Sequence, residues 1–209
     1  MATSASNSLS RQLQEYFDQL APKWDEEIAG QEGLACLRNI IEELDIKPGT
    51  YVLDIGSGTG VLLPFLTRVV GVEGRIVAVD LSKKMLLRAK AKGFPAIVDY
   101  IQMDALAIPL FDDCVDLAMC NSAFPHFDDK AGTLREIARV LKTGGKLVVC
   151  HTAGRDVINQ LHQSIGGVVA DDLLPKEAQL RDLIKQAGLK ISCFEDSPER
   201  YLVIAGKIA

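Results

Sequence analysis

Glycines and carboxylates follow short apolar runs in this sequence, and their types suit the binding of a charged nucleoside. The first such run ends in a glycine loop formed by Gly56, Ser57, Gly58 and Gly60. Glycines let the backbone amides of a loop approach a ligand closely, and a helix that follows favours a negative group at its N-terminus. Asp54 lies inside the run, two residues before the first glycine, where its charge would repel a pyrophosphate. This carboxylate therefore suits a cationic ligand.

Polar residues also follow the next three apolar runs. Asp80 closes the second run, at a distance from the glycine loop where a carboxylate can accept hydrogen bonds from both hydroxyls of a ribose. Asp104, followed by Ala105, comes after the third run and could accept from the exocyclic amine of adenine. Cys120 and Asn121 end the fourth run. If the runs are parallel strands, all these residues meet at the edge of the sheet where open α/β folds bind ligands.

His126 is placed to move a proton beside this crevice. It lies in the segment Ala123–Asp128, directly after the fourth run. An imidazole can take a proton near neutral pH, so His126 either faces the substrate as a base or shapes the loop. Cys120 and Cys150 end two runs that should be neighbours in the sheet. A thiol pair there could bind a soft acceptor, although buried cysteines that act as small apolar residues are far commoner.

Each of the binding candidates also has an ordinary structural interpretation. The glycines could only shape a tight turn, and Asp80 could cap the helix that follows it. Asp104 could be a solvated loop residue, and Asn121 could cap the next segment. Tyr16 and Trp24 could be aromatic residues that pack between helices.

The elements that must position these residues alternate along the chain. Apolar runs predict strands, and amphipathic stretches between them predict helices of about ten residues. This alternation indicates β–α–β units and a doubly wound α/β fold, with a parallel sheet covered by helices on both faces. The predicted strands are 51–55, 75–80, 96–102, 115–120, 146–150, 191–195 and 201–205. The predicted helices are 8–28, interrupted by Pro22, then 34–44, 61–70, 82–93, 130–141 and 177–187.

The two ends of the chain differ from this regular alternation. The last two strands are joined too tightly for a crossover helix, so they must pair antiparallel. Residues 1–48 are predicted as a helical extension or lid, and 49–209 as the ligand-binding part of a single domain. Residues 152–175 show no readable pattern, and His162 among them is expected at the surface.

Composition narrows the classes of function. The net charge of −5 argues against nucleic acid as the main partner. No apolar run approaches the roughly 20 residues that span a bilayer, and the polar start lacks the order of a secretory signal. The five cysteines are widely spaced without a Cys-x-x-Cys pair, so free thiols and no metal site are expected. These features favour a cytoplasmic protein that contacts neither nucleic acid nor membrane.

Four ordered segments together resemble the class I S-adenosylmethionine-dependent methyltransferases. They are VLDIGSGTG at 52–60, VAVDLS at 77–82, DALAIPLFDDCVDLAMCNSAFPHFDD at 104–129 and LKTGGKLVV at 141–149. The segment YFDQLAPKWD at 16–25 is similar to the lid of the quinone-biosynthesis-like, type 11 branch, which often has tyrosine where this chain has Trp24. The resemblance covers roughly residues 16–150 and implies a strand order of 3-2-1-4-5-7-6 with the seventh strand antiparallel.

The resemblance also implies which residues surround S-adenosylmethionine. Asp54 would lie near the amino group of its methionine part, Asp80 would bind the ribose, and Asp104 would contact the adenine edge. Tyr16 and Trp24 would belong to the lid. The full implied set is Asp54, Gly56, Ser57, Gly58, Gly60, Asp80, Leu81, Met85, Asp104, Ala105, Cys120 through its backbone, Asn121, Tyr16 and Trp24.

The chemistry expected of such a site is transfer of a methyl group to a small molecule. The sulfonium is already an activated leaving group, so the protein mainly holds an acceptor in line with the methyl–sulfur bond. If the acceptor carries a proton, a nearby base such as His126 helps. Two alternatives stay open, an NAD(P)-dependent oxidoreductase of related fold and a non-catalytic module that only binds S-adenosylmethionine. Val61 stands where the dinucleotide pattern has a third glycine, and together with Asp54 it counts against the oxidoreductase.

Overall fold

The computed structural model describes residues 4–28 and 31–208, and within them helices and strands alternate as the sequence predicts. The helices are α1 (Ser4–Leu20), α2 (Trp24–Ile28), α3 (Gln31–Glu43), α4 (Leu63–Val70), α5 (Lys83–Ala91), α6 (Lys130–Val140), α7 (Arg155–Ile165) and α8 (Glu177–Gln186). The strands are β1 (Tyr51–Ile55), β2 (Arg75–Asp80), β3 (Val98–Gln102), β4 (Val115–Asn121), β5 (Leu141–His151), β6 (Leu189–Asp196) and β7 (Tyr201–Lys207).

In the described part of the chain, seven strands form one sheet in the order β3-β2-β1-β4-β5-β7-β6. The strands β1 to β5 pair in parallel, whereas β7 pairs antiparallel with both β5 and β6. The doubly wound fold, the strand order and the antiparallel terminal hairpin are therefore confirmed. The order reverses between β1 and β4, so the crevice for a ligand opens above the carboxyl ends of these two strands.

Apolar side chains cover both faces of the sheet because the central strands are buried on both sides. On one face, Leu53 and Ile55 of β1 pack with residues of α6 and α8. On the other face, Val52 packs with residues of α3 and α4. The helix α3 buries Leu37 and Ile40 in this second cluster, so part of the predicted N-terminal extension belongs to the core. The proposed division of the chain at residue 48 stays a prediction.

The two faces also separate the cysteines that end neighbouring strands. Asn121 at the end of β4 is the partner of Cys150 on β5, so Cys120 is one position out of register with Cys150. Because side chains alternate along a strand, Cys120 packs in the cluster of α6 and α8, and Cys150 in the cluster of α3 and α4. The two thiols point to opposite faces, so the thiol-pair hypothesis was wrong.

Two local expectations also differ from the structure. The predicted helix 130–141 and strand 146–150 leave a break at 142–145, but α6 runs directly into β5 at Leu141, and Gly144 and Gly145 lie within that strand. The register of the β4–β5 pairing shifts between Val115, which pairs with Leu141, and Leu117, which pairs with Lys146. The extra residues of β5 between these two pairs, the glycines among them, are accommodated as an irregularity in the strand. The unassigned stretch 152–175 contains α7 and a short 3-10 turn, Gly167–Val169.

His162 on α7 was expected at the surface, and this prediction was wrong. Its side chain is buried at 9% exposure. A helix pattern in this segment was obscured because Val157, Leu161 and Ile165 lie on its exposed side while polar residues face inward. No helix in residues 4–28 and 31–208 has the length and apolar character needed to cross a membrane.

Candidate active site

A cavity opens at the carboxyl ends of β1, β2 and β4, beneath α1 to α3. The sequence-predicted residues that line it are Trp24, Gly56, Ser57, Gly58, Asp80, Leu81, Met85, Asp104, Ala105, Asn121 and His126. The predicted residues outside its lining are Tyr16, Asp54, Gly60 and Cys120. The structure therefore brings most of the predicted set into one place.

The glycine loop is shaped by close contacts that exclude larger side chains at two positions. Gly56 has a φ of +67°, and a methyl group there would lie 2.3 Å from Ala123 Cβ. Gly60 faces away from the cavity, since a methyl group there would lie 2.8 Å from Leu63 Cδ1 and 3.2 Å from Ala89 Cβ. Gly56 thus brings the loop against the end of β4, whereas Gly60 allows α4 and α5 to pack closely.

The carboxylate of Asp80 holds the glycine loop to the start of α5. Its Oδ2 accepts from the Gly58 amide at 2.8 Å, and its Oδ1 accepts from the Ser82 amide at 2.8 Å. Burial and the charge of Asp18 raise its pKa to about 6, although these amide bonds oppose the shift. Each carboxylate oxygen can accept more than one hydrogen bond, so Asp80 keeps acceptor capacity toward the cavity.

Asp54 is a buried carboxylate whose pKa is lowered by no cationic side chain of the described residues. It is 1% exposed, and its Oδ2 has no hydrogen-bond partner among the described residues. Burial, followed by the negative charge of Asp80, raises the pKa of Asp54 to about 7. Ser57 Oγ, in the adjacent loop and on the cavity lining, likewise has no partner within the described residues. These unsatisfied atoms mark a place where a bound cationic or hydrogen-bonding group would be stabilised.

Asp104 has a local role as well as a place on the cavity lining. Its Oδ1 accepts from the Leu106 amide at 3.0 Å, which is a turn-forming interaction. Its Oδ2 accepts from Ser10 Oγ at 3.1 Å, so Asp104 also ties α1 to the loop that follows β3. Asn121 Oδ1 lies 3.6 Å from the Cys150 thiol that donates to it. Ser122, the next residue, lines the cavity with a φ of +53°, which is uncommon for a residue other than glycine.

The N-terminal helices are fastened over the cavity by polar contacts. Asp18 accepts from Ser82 Oγ at 2.5 Å and from the Lys84 amide at 3.2 Å, which ties α1 to α5. Asp25 on α2 accepts from Thr59 Oγ1 at 2.5 Å and from Lys92 Nζ at 2.9 Å. These contacts hold α1 and α2 over one side of the cavity, so a ligand inside it would be covered on that side.

Aromatic residues of the same helices form the roof. Phe17 packs edge-on against Trp24, with ring centroids 5.7 Å apart, and against His126 at 5.0 Å. The ring of Tyr16 packs against that of Phe17 at a centroid distance of 5.2 Å, but Tyr16 does not line the cavity. Phe17 therefore occupies the lid position that the sequence pattern assigned to Tyr16. The apolar residues Leu13, Leu34 and Leu37 complete the roof. Their helical spacing showed that they face inward, but not that they border a ligand cavity.

His126 lies in a short 3-10 turn, Phe124–His126, directly after β4. Burial lowers its pKa, and the nearby carboxylate of Asp172 opposes this shift. The imidazole is therefore neutral near pH 7 and able to accept a proton. The sequence predicted the position of His126 but not its pairing with Asp172, which lies 46 residues further along the chain.

Comparison with known proteins agrees with this geometry. Residues 53–149 match a family model described as a methyltransferase domain. Over 185 residues the chain is 30% identical to the ubiquinone/menaquinone biosynthesis C-methyltransferase UbiE of Vibrio parahaemolyticus, covering 85% of this chain and 71% of that protein. The UbiE of Vibrio campbellii is 28% identical over 217 residues, covering 90% of this chain and 84% of the relative.

The same fold occurs in a solved structure. A SAM-dependent methyltransferase from Aquifex aeolicus superposes with a TM-score of 0.74 and 24% identity, covering 91% of this chain and 98% of that one. The glycine loop, the strand order and the sequence relatives agree, and the oxidoreductase alternative is therefore wrong. The chain belongs to the class I S-adenosylmethionine-dependent methyltransferases, in the branch that includes the UbiE C-methyltransferases.

Proposed function

We propose that this methyltransferase transfers the methyl group of S-adenosylmethionine to a small molecule bound beneath the N-terminal helices. The observation that carries the proposal is that one cavity is lined by the glycine loop, by Asp80 and by His126. Cofactor-binding residues and a possible base therefore border the same space. The cofactor supplies a methyl group on a positive sulfur, and the protein's own residues supply orientation and exclusion of water.

The residues present fit this cofactor. The unpartnered Oδ2 of Asp54 supplies negative charge near the positive part of the cofactor, and Gly58 presents backbone to the cavity with no side chain in the way. Asp80 would accept from the ribose hydroxyls, and Asp104 with Ala105 would meet the adenine edge. Leu81 and Met85 are apolar and line the same cavity, so they would pack against the face of the adenine ring. The remaining proposed contacts come from Ser57, Gly56, Asn121 and Trp24, with Gly60, Cys120 and Tyr16 supporting them from behind the lining.

A small acceptor is favoured because the roof leaves little room for a polymer. The ties from Asp18 and Asp25 hold α1 and α2 over the cavity. The roof residues are largely apolar and aromatic, which suits an acceptor with an apolar or aromatic body. The UbiE relatives are C-methyltransferases of quinone biosynthesis, so quinone precursors with ring hydroxyls are the first acceptors to test.

The test uses S-adenosylmethionine labelled in its methyl group. The protein is incubated with a panel of ring-hydroxylated quinone precursors and with a fractionated metabolite extract. We expect label in a small organic product and an equal amount of S-adenosylhomocysteine. The matched control is Asp80→Ala, which lacks the proposed ribose contact and should give no product. Label found only in protein or RNA, or a complete lack of transfer to any small molecule, would contradict the proposed acceptor class.

The affinity for S-adenosylmethionine is expected to rise about tenfold from pH 6 to pH 8. Asp54 has a pKa of about 7 in the free protein, so its ionised fraction increases about tenfold over this range. A cation beside it favours the ionised form, so binding lowers its pKa and releases a proton. The affinity therefore increases as the pH rises through 7 and levels off above it. Titrations are followed by the fluorescence of Trp24, the one tryptophan of the sequence, which lines the cavity.

The control for this pH dependence is Asp54→Asn. The amide has a similar size but no charge, so at pH 8 its affinity should fall to the wild-type value at pH 6 or below it. Between pH 7 and pH 8 its affinity should be flat. If the wild-type affinity does not change with pH, or the variant keeps the wild-type profile, Asp54 does not act on the positive charge of the cofactor.

A further inference from the structure

A carboxylate reaches His126 from a segment that the sequence patterns left unassigned. Asp172 Oδ2 lies 2.7 Å from His126 Nδ1, and each side chain is 15% exposed. A carboxylate at this distance accepts a hydrogen bond from Nδ1–H. That bond selects the tautomer in which Nε2 carries a lone pair instead of a proton.

Asp172 is held in place from the opposite side by α7. Its carbonyl oxygen accepts from His162 Nδ1 at 2.5 Å. Two residues further on, Leu174 exchanges two hydrogen bonds with the side chain of Asn159, at 2.8 Å and 3.1 Å. The segment is thus fixed to the buried side of the helix, and the position of the carboxylate is fixed with it.

His126 forms the boundary between this buried group and the cavity. Among the described residues, His126 lines the cavity, whereas Asp172 and His162 lie behind it. The ring centroids of His126 and His162 are 4.9 Å apart, and Phe17 of the roof also packs edge-on against His126 at 5.0 Å. Nδ1 is directed to Asp172 and the side chain lines the cavity, so Nε2 is the ring nitrogen that could accept a proton from a ligand there.

The titratable groups around His126 come from four different segments of the chain. The carboxylate of Asp172 raises its pKa, whereas burial, His162 on α7 and Lys130 on α6 lower it. His151 on β5 is also close enough to interact, and burial lowers the pKa of His151 to about 3. Burial is the largest of these effects on His126, so the imidazole is uncharged at neutral pH.

We propose that Asp172 is the positioning residue of His126, and that the methyl acceptor is a hydroxyl or carbon nucleophile that must lose a proton. This inference rests on the proposed function. In the transfer step, an electron pair of the acceptor forms the bond to the methyl carbon, and the carbon–sulfur bond breaks with its pair remaining on sulfur. The proton of the acceptor moves to His126 Nε2, and Asp172 stabilises the imidazolium. The imidazolium then returns the proton to solvent.

The first test observes the tautomer of His126 by nitrogen NMR and needs no methyl acceptor. The sequence contains three histidines, so each signal is assigned by one substitution. In the wild-type protein at pH 7 we expect His126 to be neutral, with its proton on Nδ1. In Asp172→Asn we expect the pKa of His126 to fall, because the carboxylate that raises it is lost, and the proton to move to Nε2 where the amide NH2 donates to Nδ1.

The matched control is Asp171→Asn, which removes the same charge from the neighbouring exposed residue. It should leave the tautomer and the pKa of His126 unchanged. If wild-type His126 carries its proton on Nε2, or if Asp172→Asn leaves both the tautomer and the pKa of His126 as they are, Asp172 does not position the base. The wild-type spectrum alone decides the first outcome, so the proposal stays testable even if the variant does not fold.

The second test measures methyl transfer. Asp172→Asn should lower kcat at least tenfold with the KM for S-adenosylmethionine within twofold, and Asp172→Glu should restore part of the rate. Turnover in the wild type with equal kcat and pH profile in Asp172→Asn would overturn the inference. A wild-type enzyme that methylates nothing would instead contradict the proposed function, while the NMR result would stand separately. Fast methylation of an acceptor without a removable proton, such as a tertiary amine, would overturn the acceptor class.

Discussion

Replacement of His126 by alanine is expected to lower kcat for methyl transfer by about 100-fold to 10,000-fold, the range typical of a lost general base. The imidazole lines the cavity, is neutral near pH 7 because burial lowers its pKa, and is oriented by Asp172 at 2.7 Å. Without the imidazole, no base remains at this position to take the proton of an acceptor bound beneath the roof. The affinity for S-adenosylmethionine should stay within about twofold, because the proposed cofactor contacts come from other residues.

A second variant separates proton transfer from packing. His126→Phe keeps a ring next to Phe17 and His162, whose ring centroids lie 5.0 Å and 4.9 Å from that of the imidazole, but it cannot accept a proton. We expect this variant to be about as slow as His126→Ala, with cofactor binding followed by the fluorescence of Trp24. Wild-type turnover in His126→Phe would show that the imidazole only packs beneath the roof and would remove it from the mechanism.

Replacement of Gly56 by alanine is expected to lower the free energy of unfolding by about 2–5 kcal/mol, as the sum of a strained backbone and an overpacked contact. Its φ of +67° is disfavoured for a residue with a side chain, and the new methyl group would lie 2.3 Å from Ala123 Cβ. Relief of this clash must separate the glycine loop from the end of β4, which are the two segments that border the cavity. Cofactor affinity should therefore fall together with stability.

The matched control for this substitution is Gly144→Ala. Gly144 has a φ of +80°, but no atom lies within 4 Å of the position that its methyl group would take. This variant measures the backbone strain alone, at about 1–2 kcal/mol. Urea unfolding at constant m-value gives both free energies. Equal losses in the two variants would show that the contact with Ala123 relaxes without cost.

Short-range patterns predicted the sheet and one half of the site. Alternating apolar runs and amphipathic stretches identified the strands, because side-chain periodicity is a local property of helices and strands. Asp80 and the glycine loop were found in the same way, since residues at the carboxyl ends of parallel strands must meet at one edge. Whether each of them contacts the cofactor as proposed stays a prediction.

The other half of the site depends on contacts between segments that are distant in sequence. The pairing of His126 with Asp172 spans 46 residues, and it exists only because α7 packs beside the 3-10 turn after β4. Likewise, the sequence pattern assigned Tyr16 to the lid, but the docking of α1 onto α5 decides that its neighbour Phe17 lines the cavity. Strand register decides that Cys120 and Cys150 point to opposite faces. The sequence by itself therefore determined the fold and the cofactor, whose signals are local, whereas only tertiary packing decided how the base is oriented and what covers the acceptor.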